Sequence, residues 1–355
     1  MVFLPGKALQ LIVVSVICAS SLMVVASPPA VTWSDDLAPV VPASALTVVD
    51  ESPAVNLPSI CTRLVEPGWQ THVDLLHYKP RIRGLDYAAL DYGNALAIGT
   101  GAVQRMDYAD DVGIRAGLMY RTKTGWGVGV QGTSIDFSGF DSVQRPQGAG
   151  QLFATRVHPD SNQEADSATA QGALEFRYVD LMATRTISSN RFGSFDTFGG
   201  FRWVDINQSL AFDYDGRDFL QGHLQQDQST HAFGLRMGAS SVWKWANGFG
   251  LNGSVAGSLL HGRFDTHATE TNLFGNQLMA EMSDDYDDLI SVLEVSLGAS
   301  WECRWFAVTA AYELGGWFNA NNRGLFVDDQ HEGVIAPFSN DILLQGYSIR
   351  LTSWF

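Results

Sequence analysis

Apolar and polar residues alternate with a period of two over most of this chain, and that alternation constrains the fold more than any other feature. Side chains on an extended strand point to opposite faces in turn, so strict alternation marks a strand with one apolar and one polar face. In "IRAGLMY", Ile114, Ala116, Leu118 and Tyr120 share one face against Arg115 and Arg121. The same reading sets Leu174, Phe176 and Tyr178 against Glu175 and Arg177, and Phe233, Leu235 and Met237 against Arg236. It also sets Leu293, Val295 and Leu297 against Glu294, and Val308, Tyr312 and Leu314 against Glu313. The chain ends on "LLQGYSIRLTSWF", where Tyr347, Ile349, Leu351 and Phe355 oppose Arg350. No stretch with helical period competes with these strands.

The breaks between strands form a second pattern. Short turns fall at 122–125, 188–193, 246–248 and 303–304, and polar stretches read as long loops fall at 138–167, 214–228, 267–286 and 320–341. Short and long alternate along the chain. A meander behaves this way when one end faces a cramped side and the other an open side, as in outer-membrane barrels. Tryptophan gives an independent sign. Trp126, Trp243, Trp245, Trp301 and Trp354 lie within a few residues of a short turn or the C-terminus. That places them at one end, as an aromatic girdle at headgroup level, with Trp354, like Trp305, at inward parity and fitting better as a cap on the rim.

Together these features predict an all-β fold, a transmembrane antiparallel up-and-down β-barrel. An N-terminus delivered to the periplasm and a last strand ending there require an even strand number. Twelve strands are expected if the stretches 85–92 and 95–106 pair in the wall, with ten as the alternative. Either barrel is narrower than the 16–18-stranded porins that leave an aqueous channel. In a closed barrel the last strand pairs with the first, because lipid cannot satisfy free backbone groups.

The N-terminus reads as a secretory signal over residues 1–26, with Lys7 as its charge and small residues before the cleavage point, and the rival reading is an uncleaved anchor. Eight of the twelve prolines lie between Pro28 and Pro80, so residues 27–68 read as a Pro-rich extended linker and 69–355 as the barrel. Export implies an oxidising compartment, where Cys61 and Cys303 either pair or stay free. The net charge of −16 argues against a nucleic-acid partner. Expected partners are outer-membrane lipid and lipopolysaccharide; the oligomeric state is not legible.

The expected lumen-lining set is Arg115, Glu175, Arg177, Arg202, Arg236, Lys244, Glu294, Glu302, Glu313 and Arg350. These side chains must face inward, because charge on the lipid face costs about 2–4 kcal/mol at mid-bilayer. Two readings stand for them. One is a charged constriction that selects solutes; the other is an ion-pair network that fills a small barrel.

Enzyme and metal chemistry is weakly signalled, and no catalytic residue, metal or cofactor is expected. "SDDYDDL" gathers Asp284, Asp285, Asp287 and Asp288 without the glycine-centred spacing of a calcium loop, and reads as a solvated acidic loop. His261, Asp265 and His267 read as rim residues rather than zinc ligands. An acyl hydrolase would need a serine and histidine joined to a third polar residue. Ser229 and His231 are near each other, yet nothing in the sequence marks them as a nucleophile pair.

The stretches "MDYADDVGIRAGLMYRTKTGWGVGV", "LEFRYVDLMA", "FDTFGGFRWVDINQSLAFDYDG" and the terminal "SIRLTSWF" resemble the pore-forming outer-membrane family typified by the Legionella major outer membrane protein, over roughly 69–355. The resemblance implies an outer-membrane barrel that forms a pore for small solutes or ions; the alternative is a structural or adhesive barrel acting through its external loops. It supplies no catalytic set. It also implies that the terminal Tyr347, Ile349, Leu351 and Phe355 serve as the signal read by the outer-membrane assembly machinery. The Pro-rich leader departs from a plain signal-plus-barrel layout.

Overall fold

A computed structural model describes residues 67–93, 101–158, 164–326 and 335–355. The expected signal segment, almost all of the linker, and Cys18 and Cys61 lie outside the described residues, as does 327–334 of the last expected loop.

Among the described residues, ten strands close into one antiparallel barrel. They are β1 (Gly68–Ile82), β4 (Asp111–Arg121), β5 (Trp126–Gln144), β8 (Ser167–Asn190), β9 (Gly193–Gly216), β10 (Phe219–Lys244), β11 (Phe249–Asn272), β12 (Gln277–Glu302), β13 (Phe306–Phe326) and β14 (Ile335–Trp354). Four short strands form a separate sheet: β2 (Asp86–Asp91), β3 (Gly101–Arg105), β6 (Gln151–Ala154) and β7 (Glu164–Ala165). The expected twelve is therefore corrected to its alternative. The stretches 85–92 and 95–106 contribute β2 and β3, which are short and pair with each other instead of entering the wall.

β14 closes the barrel on β1, with Asp74 opposite Arg350 and Leu75 opposite Ile349. The backbones of Trp69 and Phe355 exchange two hydrogen bonds of 2.9 and 3.0 Å. The C-terminus is thus part of the seam, and no backbone edge is left for lipid to meet there.

Two bands divide the outer wall. Near the short turns it is apolar: Leu75, Ile114, Val128, Leu181, Leu235, Leu259, Val295, Leu314 and Ile349 all point outward and are exposed. On β10 this band covers residues 233–243, matching the roughly 9–11 residues a tilted strand needs to cross hydrocarbon. Yet β9 to β12 run 24–26 residues. Their far halves continue the wall beyond the bilayer as a polar-faced extension. The stretches 214–228 and 267–286, expected as long loops, are mostly strand and end in tight turns, with left-handed φ at Gly216, Arg217, Leu273, Phe274 and Gly275. The acidic "SDDYDDL" accordingly lies on β12 rather than in a loop.

Inside the extension the pattern inverts. Leu174, Phe176, Ile206, Leu210, Phe212, Phe264 and Ile290 point inward and are buried. Water bathes the outside here, so apolar side chains turn to the interior as in a soluble protein.

Candidate functional site: a polar cup beneath a plugged mouth

The bilayer half of the lumen is a cup about 430 Å³ in volume, lined from Gln70 and Trp354 at its mouth to Tyr178 and Trp317 at its floor. Its charged side chains form two networks. Around the seam, Arg115 bonds Asp74 at 3.2 Å, Glu313 at 3.0 Å and the Tyr78 hydroxyl at 3.0 Å. Arg350 bonds the same Asp74 through two nitrogens, at 2.7 and 2.8 Å. Asp74 is fully buried and stands opposite Arg350 on one neighbour and Arg115 on the other, so one carboxylate ties β1 to both flanking strands.

Across the lumen, Arg202 and Asp180 are both fully buried and joined by two hydrogen bonds of 2.6 and 2.8 Å. Glu294 bridges Arg202, at 3.2 Å, to Arg236. The Arg202 guanidinium lies over Tyr178 at 4.3 Å and Trp317 at 5.4 Å. Such stacking supplies cation–π attraction where hydration is lost. Nearer the mouth, Lys244 pairs with Glu302 at 2.8 Å and Arg121 with Asp196 at 3.4 Å.

Of the ten residues expected to line the lumen, eight face it: Arg115, Arg202, Arg236, Lys244, Glu294, Glu302, Glu313 and Arg350. Glu175 and Arg177 do not. They lie half-exposed on the outer face of the extension, paired with each other at 3.0 Å. The strand parity assigned to Leu174, Phe176 and Tyr178 was that of lipid-facing residues, and above the bilayer that assignment reverses. Sequence reasoning missed Asp74, Asp180 and Asp196, which share with Glu294 and Glu313 the neutralisation of the arginines. Their signal was available: Asp74 and Asp180 sit at polar-face parity within alternating strands.

Of the expected girdle, Trp126, Trp243, Trp245 and Trp301 are exposed on the outer wall, with Trp69 and Trp305 beside them. Trp354, whose parity points inward, lines the mouth of the cup instead of joining the outer girdle. Tyr347, Ile349, Leu351 and Phe355 face outward on the closing strand. Cys303 lies at a short turn on the same end and is partly exposed.

Above the cup the lumen is filled. Tyr87, Ala88 and Leu152 from the small sheet join Tyr214, Phe212 and Phe219 from the wall in one buried core. The Tyr214 hydroxyl donates to the Tyr87 carbonyl at 2.7 Å, and Gln208 donates to the Tyr108 hydroxyl at 2.9 Å. Arg156 stacks on Phe212 at 5.1 Å while bonding the Asp86 and Gly84 carbonyls. The wall makes room for this insertion at Gly172, where a Cβ would stand 2.4 Å from Met106 Cε. Burial pushes the Tyr108 phenol up to about 12 and raises that of Tyr214 as well.

A barrel with an apolar belt, an aromatic girdle and a closing C-terminal strand has the anatomy of an outer-membrane protein. The model of the Legionella pneumophila major outer membrane protein precursor family matches residues 64–353. The chain belongs to that family. It is a protein of the bacterial outer membrane. No curated protein matches it. Among solved structures, the outer-membrane protease OmpT of Escherichia coli is 9% identical, with a TM-score of 0.52 over 83% of this chain and 99% of that one. The attachment invasion locus protein Ail of Yersinia pestis is 8% identical, covering 82% of this chain and 100% of that one, with a TM-score of 0.24. The toluene transporter TodX of Pseudomonas putida is 9% identical, covering 81% and 90%, with a TM-score of 0.21. At these identities the OmpT likeness speaks for the barrel fold alone.

Proposed function

We propose that this family member is a non-conducting outer-membrane barrel that works through its external extension rather than as an open pore. The observation that carries this reading is the packed lumen: Phe176, Phe212, Phe264, Leu152 and Tyr87 are each buried to within 2% across the lumen above the cup. Protein interiors of this kind pack with few voids larger than a water molecule. An ion entering from the cup would meet a paired Arg202 and Asp180 and then an apolar core. The polar outer face of the extension is the surface offered to external ligands, while lipopolysaccharide meets the belt and its rim. The terminal strand is the segment offered to the assembly machinery.

Passage of small solutes or ions is the second reading, favoured by the charged cup itself. It requires the insertion to leave the mouth. Planar-bilayer recordings of the refolded full-length chain separate the two. Silence at all voltages is expected, with discrete conductance appearing when residues 86–105 are replaced by a short Gly-Ser linker. Steady ohmic pores from the unaltered chain would overturn the proposal in favour of the pore.

A further inference from the structure

The outer face of the extension carries a serine, a histidine and an aspartate in the order that acyl transfer requires. Ser229 and His231 alternate on β10 and so share its outer face, with Ser229 Oγ 3.5 Å from His231 Nε2. Asp205 stands opposite His231 on β9, and its Oδ2 lies 3.1 Å from His231 Nδ1. Asn207, opposite Ser229, accepts the serine hydroxyl at 2.8 Å and donates to the Asp205 carboxylate at 2.7 Å. The carboxylate thus fixes the proton on Nδ1 and leaves the Nε2 lone pair on the serine side. These are the roles of a Ser-His-Asp triad, which is recognised by geometry rather than by chain order. A rotation of the serine hydroxyl from Asn207 to His231 completes it, and catalytic hydrogen bonds are often loose before substrate binds.

Location selects the substrate. One outward position toward the membrane from Asp205 and His231 lie Trp203 and Phe233, packed at 5.1 Å on the apolar belt. On the opposite side Ser229 lines a shallow concavity of about 330 Å³ with Asn207, Asp227, Asp265 and His267. The triad therefore sits where belt meets water. A lipid in the outer leaflet places its acyl chains along the belt and its ester carbonyls at this level. Arg177 stands opposite Asp205 and Arg263 opposite His231, each ion-paired to neighbouring carboxylates, so cations flank the group on both sides.

We infer that Ser229, His231 and Asp205 form an acyl-ester hydrolase site for outer-leaflet lipids on the outer wall. Ser229 Oγ attacks the ester carbonyl carbon as its proton passes to His231 Nε2. Collapse of the tetrahedral adduct breaks the bond from carbon to the alcohol oxygen, and His231 returns the proton to that oxygen. Water then gives a proton to His231 and its hydroxyl to the acyl carbon. Ser229 leaves and recovers its proton. The sum is ester plus water giving fatty acid plus deacylated lipid. Ser229 and His231 are the catalytic residues; Asp205 positions His231.

The test uses the full-length chain refolded into phosphatidylethanolamine vesicles, with fatty-acid release and fluorophosphonate labelling as readouts. Release is expected, together with an adduct on the peptide holding Ser229. S229A should abolish the adduct and lower release at least about a thousandfold. D205N should lower kcat at least about a hundredfold with KM within about twofold, because it acts through the histidine. All three side chains face water, and the heat-modifiable gel shift of the folded barrel verifies each variant. No release from the unaltered chain, no adduct at Ser229, or release that persists in S229A overturns the inference. It does not depend on conductance, so it stands or falls apart from the plugged-barrel reading.

Discussion

One wall, two solvents: the lower half of this barrel and its upper half obey opposite rules. On β10, Leu235 points outward to lipid and Arg236 inward to the cup, whereas higher on the same strand Asp227 points outward and Leu224 inward. The backbone ladder runs unbroken through both, since β9 and β10 keep register from Gly193 opposite Trp243 to Tyr214 opposite Gly222. The strand therefore does not determine which face is apolar; the surrounding medium does. The two interiors differ in kind as well. The lower one satisfies buried charge with charge, and the upper one excludes water with apolar volume.

Breaking either interior should have the largest effect. Arg202→Met leaves Asp180 buried without its bidentate partner and should cost about 3–5 kcal/mol, read from the urea midpoint of the refolded barrel. Phe212→Ala opens a cavity under the insertion and should cost a similar ~3–5 kcal/mol. It should also expose the plug to protease, which the lower-half variant should not do. Next comes the outer wall. Leu235→Arg sets charge against hydrocarbon and should cost about 2–4 kcal/mol, while Ser209→Arg on the extension should stay within about 0.5 kcal/mol. Equal costs at the two positions would erase the distinction.

The smallest effect is alkaline. Tyr108 and Tyr214 hold their protons more tightly when folded than when unfolded. Above about pH 10 the unfolded chain loses protons that the folded one keeps, so stability falls as pH rises further. Tyr108→Phe should remove part of that fall, measured by the pH dependence of plug protection from protease.

The same contrast explains what the sequence disclosed. Alternation located the lipid-facing side of β4, β10, β12 and β14 because the belt residues, such as Ile114, Leu235, Val295 and Ile349, oppose charge. It misplaced Glu175 and Arg177 because period two separates two faces without saying which is wet. The expected loops at 214–228 and 267–286 were strands whose outer face is polar; Gln226 and Gln228 are polar on the inner face too, so no apolar stripe advertised them. The small sheet was mistaken for wall because β2 has the length and apolar content of a short strand in either place. The triad residues Ser229 and His231 were visible, but Asp205 lies 24 positions away from Ser229 in sequence and joins them only through the register of β9 with β10.

Spin labels placed one at a time at Leu235 and Asp227 of the vesicle-embedded protein, with native cysteines replaced, test the two-solvent account most directly. Both positions face outward on β10. The account predicts that oxygen relaxes the label at 235 more than a water-soluble nickel chelate does, and that the order reverses at 227. A lipid-like response at 227, or a water-like response at 235, would contradict it.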